Sequence, residues 1–309
     1  MSRNAVSKVE SWWLVGATTL AMSLSYVDRQ ALSVLAPTIT KALGISDAAY
    51  GWLGSAFSLA YLVAGPLAGA LIDRVGARRG LLGGVVLWSA VAGLHAIAPT
   101  FAVLFALRLA LGIAESPTFP CGVQAVQRGL APSERARGMS FLFVGMSIGG
   151  MLAPPVAIGL AIRFGWRAAF LGTAALAAVW VPLWVTITSR PAVRDALDGA
   201  NDDPRNNATR TTMSEVVRHP AMLRGLVGLI AIVPASAFAM AWEAKYYVRQ
   251  FALSQGGVAP YLVASAIAYD AGALAFGDLA GRRARRRGHD GTPPRLLLGC
   301  GALLAAAGV

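Results

Sequence analysis

Charge is scarce in this sequence, and acidic charge scarcest: 14% of the 309 residues are charged, with 15 Asp and Glu against 27 Lys and Arg. Soluble domains carry about 25% charged residues, so this chain lacks the polar surface to cover a globule in water. Cysteine is nearly missing as well. Cys121 and Cys300 both fall in apolar segments at no ligand-like spacing, which argues against a disulfide framework and a cysteine zinc site. His95, His219 and His289 have no Cys or His partner at metal-binding spacing. The phosphate-cradling Walker loop, the G-x-S-x-G elbow and the H-E-x-x-H helix are all lacking, so no enzyme activity, no metal and no cofactor is expected. The first apolar stretch runs long and has no small-residue cleavage site, so no cleaved signal peptide is expected there.

What the chain does have is apolar length. Hydrophobic residues make up 56% of it. They gather into nine stretches near residues 12–39, 50–72, 81–98, 101–124, 139–162, 168–188, 226–248, 258–276 and 296–309. A helix crossing the hydrocarbon core needs about 20 such residues. With no water there to satisfy backbone groups, helices are the expected form. The basic residues sort by loop. One alternating set holds Arg74, Arg78 and Arg79, then Arg128, Arg135 and Arg137, then Arg190, Arg194, Arg205, Arg210, Arg218 and Arg224, and then the run from Arg282 to Arg287. The other set holds Lys41, Arg163, Arg167 and Arg249. The positive-inside rule therefore predicts a cytoplasmic N-terminus, and the Arg282–Arg287 run reads as a topology anchor rather than a nucleic-acid site.

The predicted organisation is an N-terminal six-helix bundle over residues 1–188, a polar cytoplasmic linker over 189–222, and an incomplete C-terminal bundle of about three helices over 223–309. A weak internal echo supports two halves: Gly69-Ala-Leu-Ile-Asp-Arg follows the second span, and Gly277-Asp-Leu-Ala-Gly-Arg follows the eighth. Twelve spans need on the order of 400 residues. The chain ends inside a ninth apolar segment, so truncation is expected.

Charges inside spans are expensive, so each is a functional candidate by default. Asp28 lies 16 residues beyond Trp12 on the first span, roughly 24 Å along it. Arg108 enters the fourth span from the opposite side and lies about 10 Å deep. Their similar depths predict an Asp28–Arg108 pair. Glu115 shares the face of Arg108 two turns deeper, where burial would favour its neutral form and fit it to carry a proton. Pro117 and Pro120 follow and open the backbone ladder there. Arg29 offers a planar donor fork suited to a carboxylate, Tyr61 an aromatic surface with a hydroxyl, and Asp270 an acid within the eighth span. Glu243 and Lys245, near the outer end of the seventh span, read equally as snorkelling residues. Gly65 with Gly69, and Gly145 with Gly149, predict close helix packing.

Several of these segments match a known pattern. Gly69-Ala-Leu-Ile-Asp-Arg-Val-Gly-Ala-Arg-Arg resembles the signature loop of the major facilitator superfamily. Ser25-Tyr-Val-Asp-Arg-Gln-Ala-Leu-Ser, Arg108-Leu-Ala-Leu-Gly-Ile-Ala-Glu-Ser-Pro-Thr-Phe-Pro and Gly165-Trp-Arg-Ala-Ala-Phe resemble its anion:cation symporters. Ala259-Pro-Tyr-Leu and Tyr269-Asp-Ala-Gly resemble the hexuronate-transporter branch. The resemblance implies an all-α membrane protein of two six-helix bundles, with Asp28 and Glu115 as proton-coupling carboxylates and Arg29, Tyr61 and Arg108 around the substrate pocket. It places Gly69, Asp73, Arg74, Gly76, Arg78 and Arg79 in a loop that holds the inward gate closed. Glu243, Ala244, Met146 and Ser147 depart from the family's usual residues. The expected protein is a monomeric symporter of the bacterial inner membrane, moving a hexuronate or similar anion with protons through alternating access. Its partners would be the anion, protons and the lipid bilayer, with no nucleic acid. The alternatives are a carrier of aromatic or dicarboxylic acids, sodium coupling, or an inactive truncated membrane protein.

Overall fold

The computed structural model describes residues 6–198, 222 and 237–287. The described segments are helical throughout, joined by short turns. The chain divides into two units, Met1–Ala200 with Ala244–Val263, and Asn201–Glu243 with Ala264–Val309. The predicted ninth span and most of the predicted linker fall outside the described residues, as does part of the seventh span.

Helix α1, Lys8–Val34, starts at a reciprocal cap: the Ser7 hydroxyl accepts from the Glu10 N–H, and the Glu10 carboxylate accepts from the Ser7 N–H. Its 27 residues reach about 40 Å. Pro37 stands in the first turn of the next helix, α2 (Ala36–Leu43), which ends at the left-handed Gly44. The predicted first span is thus two helices. Helix α3, Asp47–Leu94, contains two predicted spans in one hydrogen-bonded run, divided at Gly76, whose φ of 79° and ψ of 156° reverse the chain. A left-handed φ of that kind favours glycine because it has no Cβ. A 3-10 turn, His95–Ile97, leads to α4 (Phe101–Glu115). The Ser116-Pro117 step then separates α4 from α5 (Thr118–Gly129), where proline was expected to open the ladder. Helices α6 (Arg135–Phe164) and α7 (Trp166–Thr188) complete the bundle, joined by Gly165 at φ 86°. Helix α8, Pro191–Asp198, lies along the end that carries Gly76. Helices α9 (Glu243–Phe251) and α10 (Gln255–Arg287) follow.

Four stretches among the described residues are long and apolar enough to cross a membrane: Asp47–Ile97, Phe101–Gly129, Arg135–Phe164 and Trp166–Thr188. The first has 51 residues, roughly 76 Å, which makes two passes once Gly76 reverses it. The predicted six-helix bundle over residues 1–188 also counts the 27-residue α1 as a pass, and α1 is not among these four stretches.

Lipid is as apolar as leucine, so packing and hydrogen bonds rather than the hydrophobic effect must hold these helices together. α1 packs chiefly on α6 and α7, and α3 on α4. The α1–α6 seam is close because Gly145 and Gly149 lie against the Thr19 and Ser23 backbone, where a Cβ would collide with the carbonyl oxygens. The Ser23 hydroxyl also donates to the Gly145 carbonyl at 2.8 Å. At Gly65 and Gly69, by contrast, no described neighbour comes within 4 Å of a Cβ, so the expected close packing is not seen among the described residues. They lie on the stretch of α3 where Leu62, Val63 and Leu67 are more than 60% exposed. Indole groups tie α7 inward: Trp180 Nε1 donates to the Ala17 carbonyl at 2.7 Å and Trp184 Nε1 to the Arg78 carbonyl at 3.0 Å. A buried tryptophan needs such a partner for its N–H.

Candidate functional site

Ser25 and Arg29 stand four residues apart on α1 and so share a face. Both reach one oxygen of Glu115 at the end of α4. The Ser25 hydroxyl donates to Glu115 Oε2 at 3.0 Å, and Arg29 donates to the same oxygen through Nε at 3.0 Å and a terminal nitrogen at 2.7 Å. Glu115 is wholly buried and the Arg29 side chain is 22% exposed. The other carboxylate oxygen, Oε1, is buried with no hydrogen-bond partner.

Aromatic rings surround the cation. The Arg29 guanidinium lies 4.7 Å from the Tyr26 ring centre, 4.8 Å from Phe57 and 5.0 Å from Tyr61. Rings at such distances attract a cation through their negative faces, more strongly where water is excluded. Arg108, on α4, lies over the other part of Phe57 at 4.8 Å, and its NH1 donates to the Arg29 carbonyl at 3.5 Å. Its buried Nε has no hydrogen-bond partner. Asp28 is buried and has Thr173 and Trp88 as its polar neighbours, with Oδ1 unpartnered. Two arginines, two carboxyl groups and three rings therefore sit in one dry region, with several polar atoms unsatisfied. Such atoms are costly unless something else meets them, which makes this region the candidate site.

Comparison with known proteins decides the family. The sequence pattern of the Major Facilitator Superfamily matches residues 18–309. The chain belongs to that superfamily. Its fold agrees: a bacterial homologue of the human lysosomal transporter Spinster, crystallised inward-facing and unoccupied, superposes with a TM-score of 0.76 at 21% identity, covering 91% of this chain and 64% of that one. Among curated relatives, the galacturonate transporter of Dickeya chrysanthemi is 33% identical over 180 residues, 58% of this chain and 52% of the relative. The hexuronate transporter of Escherichia coli K12 is 32% identical over 180 residues, 58% of this chain and 42% of the relative. The chain spans about half the length of these relatives. As a superfamily member with membrane-spanning helices, it is an integral membrane protein.

Of the residues singled out by sequence, Asp28, Arg29, Tyr61, Arg108 and Glu115 fall in or beside this cluster, but one predicted pairing is wrong. Asp28 and Arg108 form no ion pair; Arg29 pairs with Glu115 instead. The depth estimate holds, because Arg108 touches the backbone of Arg29. Direction around the helix decides the partner: Asp28 is turned about 100° from Arg29, toward α3 and α7. The long arm of Arg29 spans the depth to Glu115. Ser25, Tyr26 and Phe57 were not singled out. Ser25 could have been found from its spacing of four from Arg29, and Phe57 from its spacing of four from Tyr61. Asp270 lies half-buried on α10, in the other unit.

The signature loop is a second, separate centre at the Gly76 end. Arg78 donates to both oxygens of Asp198, at 3.0 and 2.9 Å through Nε and 2.7 Å through NH2. Asp198 is the last residue of α8, which buries Val193 and Leu197 against the bundle. Arg128 donates to the Leu197 carbonyl, and the Ala77 N–H donates to Gln124 Oε1 at 2.7 Å. Asp73 lies in electrostatic range of Arg128. Arg74 and Arg79 make no hydrogen bond or ion pair among the described residues. Sequence alone did not reveal α8, because its eight residues carry only two apolar anchors.

Proposed function

We propose that the chain forms part of a secondary active transporter of the bacterial inner membrane that moves a small organic anion, a hexuronate or similar sugar acid, together with protons by alternating access. The observation that carries this reading is the buried Arg29–Glu115 pair ringed by Tyr26, Phe57 and Tyr61. A substrate carboxylate and an ionised Glu115 compete for the same guanidinium. Removing one charge from a buried pair leaves the other uncompensated, at about 3–5 kcal/mol. Loss of the Glu115 charge alone would leave Arg29 uncompensated, and an anion added to an already paired Arg29 would set two negative charges against one cation. Both together leave Arg29 compensated by the substrate. That is the differential affinity coupled transport requires. Asp28 is the second carboxyl group in reach of the same water-free region. Tyr61 and Arg108 supply a hydroxyl and a second cation for a polyhydroxylated acid. The sorting of the basic residues supports a cytoplasmic N-terminus and signature loop. The relatives' galacturonate and hexuronate substrates point the same way.

Uptake of radiolabelled galacturonate and glucuronate into vesicles with an imposed inward proton gradient tests this, using the 309-residue chain beside a version completed to twelve spans. Uptake by the completed protein that collapses with the gradient supports the symporter. If it folds in the membrane yet moves neither acid, the hexuronate assignment fails.

A further inference from the structure

Helix α3 carries an aromatic stripe that reaches beyond the central cluster. Tyr50, Phe57 and Tyr61 are seven and four residues apart, so they fall within about 40° of one another around the helix. Asp47 lies one turn before Tyr50 on the neighbouring face. Cations from three helices lie over these rings. Arg29 of α1 lies over Tyr61 and Phe57, Arg108 of α4 over Phe57, and Lys245 of α9 lies 4.9 Å from the centre of Tyr50. Lys245 is 16% exposed at its side chain and is bonded to Asp47, which also accepts from Arg249 at 3.0 Å. Next to it, Gln255 at the start of α10 donates to the Val34 carbonyl at 2.7 Å and accepts from Thr38 at 3.1 Å. The end of the bundle opposite the signature loop is therefore fastened by polar contacts, with a lysine at their inner edge.

We infer that Lys245 is the entry site for the substrate carboxylate, and that Asp47 is the internal carboxylate occupying it while this mouth is closed. The inference rests on the anion-transport reading above. When α9 parts from α3, Lys245 exchanges one carboxylate for another. It releases Asp47 and takes the incoming anion, which then meets Arg108 and Arg29 further along the same stripe. The rings suit this use because they hold Lys245 and Arg29 in place when their carboxylate partners, Asp47 and Glu115, are exchanged for the substrate. Arg249, 82% exposed, sits outside as the first attraction for an anion in solution.

The test is proton-driven galacturonate uptake by the full-length protein, with KM and Vmax read separately for wild type, Lys245→Gln, Lys245→Arg and Asp47→Asn. Membrane abundance and monodispersity are checked for each. A charge-assisted hydrogen bond to the substrate predicts that Lys245→Gln raises KM about tenfold, while Lys245→Arg stays within threefold of wild type. Asp47→Asn removes the competitor and lowers KM or leaves it unchanged. If Lys245 serves only to fasten the mouth, Lys245→Gln and Asp47→Asn will change the same parameter in the same direction, and the inference is overturned. A KM for Lys245→Gln within twofold of wild type overturns it too. Should wild type itself take up no hexuronate while folding normally, the transport reading fails rather than the entry site. In that case binding of galacturonate, followed by tryptophan fluorescence, must still weaken in Lys245→Gln for Lys245 to remain an anion site.

Discussion

Two ion pairs in this molecule share a closest approach of 2.7 Å and almost nothing else. Arg29–Glu115 lies at the centre of the bundle with its carboxylate sealed from water, while Arg78–Asp198 lies at the end, with both side chains about a quarter to a third exposed. Bond length therefore says little about what each pair is worth. In the buried centre neither partner can be lost cheaply, and under the proposed function the pair is a lock that opens only when another charge or a proton takes a place in it. At the wet end, water replaces whatever is lost, so the contact has a net worth of about 0–1 kcal/mol and can form and break at little cost.

The largest effect that would sharpen this contrast is expected from Glu115→Ala. It should lower the stability of the bundle by about 3–5 kcal/mol, read as a fall in detergent melting temperature, and abolish uptake. Replacing both partners, Arg29→Met with Glu115→Leu, should recover most of that stability while leaving transport dead, because no unpaired charge remains. If the double variant melts as low as the single one, the pair is not the lock described here. Next comes helix packing. Gly112→Ala drives a Cβ into the Phe57 carbonyl and should cost about 1–3 kcal/mol, whereas Gly65→Ala meets open space and should be neutral within 0.5 kcal/mol. Equal losses at the two glycines would mean that α3 and α4 are not packed as closely as seen. Smallest is Asp198→Asn. It should change melting by less than about 1 kcal/mol yet alter the rate of uptake, since it loosens α8 from the signature loop without leaving a buried charge. A large fall in stability from Asp198→Asn would erase the distinction between centre and end.

Much of the bundle was legible in the sequence, because apolar length and the sorting of arginines are direct consequences of the bilayer. Helices α1 to α7 fall close to the apolar stretches between residues 12 and 188, and the Gly76 reversal falls inside the signature loop. The separation of α4 from α5 was also readable, since Pro117 states its own constraint. The residues of the central cluster were legible as well, as charges in a span have few other reasons to be there. Which carboxylate meets which arginine was not. Depth along a helix can be counted from sequence, but rotation around it depends on the tilt and packing of its neighbours. Asp28 and Arg29, adjacent in sequence, consequently face different helices. The Asp47–Lys245 contact was hidden for a similar reason: it joins residues 198 apart in sequence. Lys245 alone reads equally well as a residue snorkelling to the interface.

The most direct test of the central lock is galacturonate binding to the detergent-solubilised protein at several pH values, without any gradient, in wild type and in Glu115→Gln. Glutamine keeps the shape of a protonated glutamate and cannot ionise, so it holds Arg29 in the released state. If Glu115 competes with the substrate for Arg29, wild-type affinity should fall as pH rises. Glu115→Gln should then bind at high pH as tightly as wild type does at low pH. A Glu115→Gln protein whose affinity still falls with pH as steeply as wild type would contradict the lock and move the proton to another group.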